Sequence, residues 1–361
     1  GMPLSPFTGQ LRISGQGLDV LSPRSSLTAD ARIDQLAYST YSLNGTSLQA
    51  RLRGGKLQAD FAANNNWIEA SGQLAGLLDS KGYDLQLRTD VAALHLHELD
   101  AARDTLTIGT VAQLDFKANG ALTRLSLGGS LRTNTFTTPR ISNLAKDVTF
   151  DFATSADTTT ASVAAGDLTL RLGSKKEIAA LTAQLRRLAS ELMRQAGNYE
   201  LDQERLKTFL PTLSFYLDAG RDNPLYNIAR IKGYSFHSAY INLNTDPRQG
   251  MSGDARISAL KMGALLLDSI RANIVQDSTG VQLYALVKNG QKNPTPLEVR
   301  CKSYVLPTGA GLELKYLDSE GQTGVDLGVR AELAEGGLQV RLYPEHPVLA
   351  YRNFKLNKDN F

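Results

Sequence analysis

The sequence predicts a mainly β protein with a helical insert, and three observations predict it. Apolar and polar side chains alternate with a period of two through residues 7–173, and again after residue 233. Glycine and asparagine recur between the alternating runs, and one central stretch switches to a spacing of three and four. Alternation marks strands with one apolar and one wet face, because successive strand side chains point to opposite sides. No βαβ rhythm appears, so a long meandering antiparallel sheet is expected rather than a parallel enzyme sheet. Such a sheet must cover its apolar face. It can fold into a sandwich-like body with a filled core, or curl into a groove whose lining meets a ligand.

The first segment, residues 1–173, carries the clearest alternation. Leu48, Ala50 and Leu52 alternate with Gln49, Arg51 and Arg53, and Tyr83, Leu85 and Leu87 with Asp84, Gln86 and Arg88. Asn44-Gly45, Gly54-Gly55, Asn119-Gly120 and Gly128-Gly129 read as turns, since glycine and asparagine tolerate positive φ. A loose polar-Gly-x-apolar step is expected to open strands at Thr8-Gly9, Ser71-Gly72, Asn119-Gly120 and Ser252-Gly253.

Residues 174–233 are expected to form the helical insert. Ser174-Lys175-Lys176-Glu177 has the form of a capping box. Ile178, Leu181, Leu185, Leu188 and Leu192 then make one apolar stripe, and Gly197 is a natural stop. A second helix is expected from Asp202 to before Pro211, and a third from Asn223 and Pro224 to Gly233. Residues 234–361 return to alternation, with turns expected at Thr245-Asp246-Pro247, Ser278-Thr279-Gly280, Pro307-Thr308-Gly309, Ser319-Glu320-Gly321 and Glu335-Gly336-Gly337.

Composition excludes some function classes. The net charge is only +3 and the basic residues are scattered, which argues against a nucleic-acid surface. No run of about 18 apolar residues offers a membrane-spanning helix. With one cysteine, Cys301, and four histidines, zinc frameworks such as CxxC and HExxH are absent, and no cofactor is expected. Gly1 before Met2 looks like a tag-cleavage scar, and the ending Asp359-Asn360-Phe361 like the edge of an excised segment.

One stretch invites a chemical reading, LHLHELD from Leu94 to Asp100. On a strand, His95 and His97 would share a face and Glu98 would take the other. A zinc site would need further ligands from remote positions such as His237 or His346. A solvated strand face is therefore expected, with Leu94 and Leu96 inward. Apolar parity switches here, from odd positions through Val91 to even ones at Leu94, by either a β-bulge around Ala92-Ala93 or a strand break. Asp326, Glu332 and Glu335 read as strand-face charges, and Arg186, Arg187 and Arg194 as the wet face of the first helix. Ser258-Ala259-Leu260-Lys261 matches SxxK without its partner motifs. Nothing converges on catalysis, and no enzyme is expected.

Several runs carry a family resemblance. Ser71-Gly72-Gln73-Leu74 with Ala75-Gly76-Leu77-Leu78, Leu306 to Leu312, and Gly324 to Val329 resemble the AsmA-like and TamB families. Pro347-Val348-Leu349-Ala350-Tyr351-Arg352 looks like the TamB-related proteins of Bacteroidetes. The helical insert departs from those families' uninterrupted strand repeats. The resemblance implies a periplasmic segment of a cell-envelope protein whose parent is anchored in the inner membrane. It implies a β-taco groove, phospholipid transport, a role in outer-membrane biogenesis, and a TamA-type outer-membrane barrel as partner. On that view the lining set is Leu85, Leu87, Leu125, Leu127, Ile257, Leu265, Leu267, Leu312, Leu314, Leu327 and Val340, meeting phospholipid acyl chains. The alternative is a closed β-sandwich scaffold or binding module of the envelope, with no lipid conduit.

Overall fold

The computed structural model describes residues 8–17, 19–38, 41–99, 105–139, 142–198, 202–278, 280–290, 296–306, 308–334 and 337–356. The expectations on Gly1, Met2, Asp100, Thr279, Pro307, Glu335, Gly336 and the last three residues fall outside these. The protein is mainly β, with antiparallel pairing throughout and an open sheet. It divides into two units, Gly1–Gly166 and Asp167–Phe361.

Unit 1 holds β1 (Thr8–Gln16), β2 (Ser26–Gln35), β3 (Ala37–Tyr38), β4 (Tyr41–Ser42), β5 (Thr46–Arg53) and β6 (Lys56–Asn64). It continues with β7 (Ile68–Asp79), β8 (Gly82–His95), β9 (Thr107–Asn119), β10 (Leu125–Thr137), β11 (Ser142–Ala145), β12 (Val148–Thr154) and β13 (Thr159–Ala165). Apart from the small β3–β4 pair and the short β11, which pairs with β10 while β10 also bonds β12, each strand bonds to its neighbours along the chain in a meander. Gly54 and Gly55, at φ +58° and +78°, make the tight turn between β5 and β6, a conformation that costs glycine little.

Unit 2 opens with β14 (Leu168–Ser174), α1 (Ile178–Gly197), α2 (Gln203–Phe209), β15 (Leu213–Ala219) and α3 (Pro224–Ile231). Then come β16 (Tyr234–Ser235), β17 (Ser238–Asp246), β18 (Gly250–Met262), β19 (Leu265–Gln276) and β20 (Val281–Asn289). The last are β21 (Leu297–Leu306), β22 (Gly309–Leu317), β23 (Thr323–Ala334), β24 (Gly337–Leu349) and β25 (Arg352–Asn353). The helical insert is therefore not continuous. β15 runs through it because Leu213, Phe215 and Leu217 alternate and pair with β14 on one side and β17 on the other.

The helix starts divide by what their cap residues touch. Asp202 caps α2 by accepting from the Arg205 amide at 2.9 Å, and Asn223 caps α3 by accepting from the Tyr226 amide at 2.8 Å. Ser174 does not cap α1. It ends β14, and its hydroxyl donates to the Thr212 carbonyl at 2.9 Å, tying β14 to the approach of β15.

Three glycine expectations are also corrected. Gly128 and Gly129 lie inside β10, Gly72 inside β7 and Gly253 inside β18, none of them at a turn or a strand opening. The reason is space. A Cβ on Gly72 would sit 2.6 Å from the Phe61 ring, and one on Gly129 would sit 2.8 Å from Leu114 and 3.2 Å from Phe150. These glycines make room for large side chains from the neighbouring strand. Asn119-Gly120 does form a turn, but β10 starts only at Leu125.

Candidate functional site

Directly paired residues of an antiparallel sheet share a face, so the pairing register reads out what each face presents. In unit 1 one row runs through Ile13, Ala29, Ala50, Ala59, Leu74, Leu87, Leu114, Gly129, Phe150 and Val163. The next holds Leu27, Leu52, Leu57, Gly76, Leu85, Phe116, Leu127, Phe152 and Ala161. Leu125 belongs to a third, between Ala118 and Thr154. No charged residue interrupts these rows.

Unit 2 repeats the pattern. Leu170, Leu217, Ile241, Ala255, Ala272, Ala285, Cys301, Leu314 and Leu327 form one row. Leu172, Phe215, Leu243, Gly253, Ile274, Leu283, Ser303, Leu312, Val329 and Leu342 form the next. Ile257 and Val340 lie on flanking rows of the same face. Leu265 and Leu267 do not belong to this face. Along β19 they take the alternate positions, in phase with Ser269 and Arg271 and out of phase with Ile270.

This face is not a packed core. Leu312, Leu314 and Val340 are 49%, 41% and 50% exposed, and Leu85, Leu87, Leu125, Leu127, Ile257 and Leu327 are half-buried. The fully buried hydrophobic side chains among the described residues are few, and more than half are alanine. A filled sandwich would bury its large leucines first.

The opposite face carries matched charges. Lys117 meets Asp84 at 3.1 Å, Lys288 meets Glu298 at 2.7 Å and Lys315 meets Asp326 at 2.8 Å, each across directly paired strands. The Lys288 hydrogen bond, helped by Arg300, holds the Glu298 carboxyl below its usual range. Asp326 and Glu332 are thus strand-face charges with basic partners, Glu332 pairing with Arg330. Ser258 of the SxxK match hydrogen-bonds Ser238 at 2.6 Å within the sheet.

The apolar rows survive two irregularities. β8 carries one extra residue between Val91 and Leu94 against both β7 and β9, so the parity switch is a β-bulge and not a strand break. It returns Leu94 to the apolar side, between Ile68 and Ile108. β10 has a matching shift at Thr133, whose φ is +48°. Asn134, 4% exposed, is held there by hydrogen bonds to the Leu131 and Lys146 carbonyls at 3.0 and 2.9 Å.

LHLHELD is strand only as far as His95, and Leu96 to Leu99 form a turn. Period-two geometry therefore stops before His97. His95 Nδ1 meets the Thr107 hydroxyl at 2.9 Å, and the His97 ring lies edge-on 5.9 Å away. Glu98, expected on the far side, instead reaches His97 Nε2 at 3.1 Å because the turn brings it round. Among the described residues no three His, Cys, Asp or Glu side chains cluster closely enough to hold a metal.

No family model, curated protein or solved structure matches the chain.

The helices add a feature that alternation could not announce. Glu191 of α1, 6% exposed, bonds Arg194 at 2.7 Å, Arg205 of α2 at 2.9 Å and Gln195 at 3.0 Å. The hydrogen bond from Arg194, then that from Gln195, brings its pKa down to about 2. Arg194 is thus tied into the α1–α2 contact, not free on a wet face as expected. This pair of helices bounds an apolar pocket of about 400 Å³ against the sheet of unit 2. Its sequence signal was the α1 stripe itself, wider than a seven-residue second helix can cover.

Proposed function

We propose that this chain is a periplasmic segment of a TamB/AsmA-like envelope protein whose apolar sheet face shields phospholipid acyl chains. Through it the parent protein supports phospholipid transport and outer-membrane biogenesis. What supports the reading is one observation, the rows of apolar side chains that pass from strand to strand without a charge while remaining open to solvent. The family resemblance supplies the envelope setting, the inner-membrane anchor of the parent and the TamA-type barrel as partner.

The mechanism is passive. Each methylene taken from water contributes about 0.8 kcal/mol, so hydrocarbon is held without a specific polar group. Neighbouring rows offer equivalent surfaces, so a chain can shift from one strand to the next without crossing a charge. The charged opposite face stays in water. A closed β-sandwich scaffold would have buried Leu312, Leu314 and Val340, which are exposed.

Leu87→Arg and Leu314→Arg place a charge in the middle of a row in unit 1 and unit 2 respectively. Both sites are open enough for an arginine to reach solvent, so folding is expected to hold. Each variant should copurify with at least several-fold less phospholipid than the parent, measured by lipid extraction and mass spectrometry. Parent-like lipid content in both variants would refute the proposal.

A further inference from the structure

We propose that α1 and α2 overhang the apolar face of unit 2 to form a half-open pocket for a single acyl chain, which holds the chain instead of letting it slide. The proposal deepens the acyl-chain reading above and takes its ligand class from it. The pocket of about 400 Å³ lies between Leu185, Leu188 and Leu192 of α1 and Leu243, Met251 and Val281 of the sheet. That volume falls within the range of about 300–1,000 Å³ usual for ligand sites.

Its polar lining residues turn their polar atoms away from the space. The Gln276 amide donates to the carbonyl and side chain of Gln203 at 3.2 and 3.1 Å, and the Thr245 hydroxyl donates to the Pro211 carbonyl at 2.6 Å. Water needs two to four hydrogen-bond partners to settle in a cavity, and here those groups already serve one another. Hydrocarbon needs none.

The α1 stripe gives the second sign. Leu181 is 3% exposed, as docking predicts, yet Leu185 and Leu192 on the same stripe are 42% and 49% exposed. Those two leucines face space and not protein. The space is framed by fixed groups, since the Glu191 cluster joins the helices and Gln195 bonds the Asp202 backbone at 3.1 and 2.9 Å. A binding site built this way is preorganised.

The test uses tryptophan emission in the full chain. Leu185→Trp and Leu192→Trp report on the pocket, and Leu314→Trp on the open face. Each chain is incubated with phosphatidylcholine vesicles carrying brominated acyl chains, then separated from them by gel filtration. The signal read is the emission added over that of the native Trp67. Quenching of most of that emission at position 185 or 192, with quenching at 314, is the expected result. Quenching at 314 with none at 185 and 192 overturns the pocket and leaves the open-face reading standing. Quenching at 185 or 192 with none at 314 supports the pocket and removes the open face as a conduit. No quenching anywhere overturns both. The two pocket positions are half-exposed, so each tolerates a larger ring, and thermal unfolding of both variants identifies a misfolded one.

Discussion

Glu191 illustrates how a single side chain can hold an element in place. Its carboxylate accepts from Arg194 on its own helix and Arg205 on the next, while Gln195 fixes its remaining lone pairs. Its pKa lies at about 2, against an ordinary 4.5, so the folded chain keeps it ionised to lower pH than the unfolded chain does. The stabilisation is complete above about pH 4.5 and is lost as pH falls towards 2. Helical circular dichroism should hold steady from neutral pH down to that window and decline within it. Glu191→Gln should lower the helical signal at neutral pH and flatten the acid decline. An unchanged acid profile in that variant would show that Glu191 does not join the helices. The i,i+3 spacing to Arg194 was visible in the sequence. Its partnership with Arg205 was not, because that depends on how α2 docks.

At the scale of elements, the alternating strands were legible because a period of two leaves one answer for each side chain. Leu85 and Leu87 fell on one face of unit 1, and Leu312 and Leu314 on one face of unit 2, as the pattern required. What was not legible was the use of each glycine. The same residue suits a turn at Gly54 and a close approach at Gly129, and the neighbouring strands with Leu114 and Phe150 distinguish them. Leu265 and Leu267 were misplaced for a related reason, since the Leu265-Leu266-Leu267 run has no alternation to phase it. β15 was hidden between two short helices. The parity change at β8 was legible, although it left a bulge and a strand break equally open until the pairing register was known. Deleting Ala92 should remove the bulge and leave Leu94 two residues after Val91, still on the apolar side and in line with Ile68 and Ile108. Because the row is kept, a stability change of less than about 1 kcal/mol is expected, measured by urea unfolding. A larger loss would show that β8 needs the bulge itself and not only the phase of the row.

At the scale of the whole molecule, both units obey the same rule: apolar rows on one face, paired charges on the other. Lys–Asp pairs stand on the charged face of both units and a Lys–Glu pair on that of unit 2, while the apolar face is left half-exposed over many strands. Large exposed apolar surfaces are rarely idle, and hydrocarbon is the proposed occupant of this face in each unit. The central claim is that this face carries lipid, and native mass spectrometry of the intact, gently purified chain tests it most directly. The account predicts charge-state series displaced by the masses of bound phospholipids, which disappear after detergent exchange. A single series at the mass of the bare chain, even after incubation with phospholipid vesicles, would contradict it.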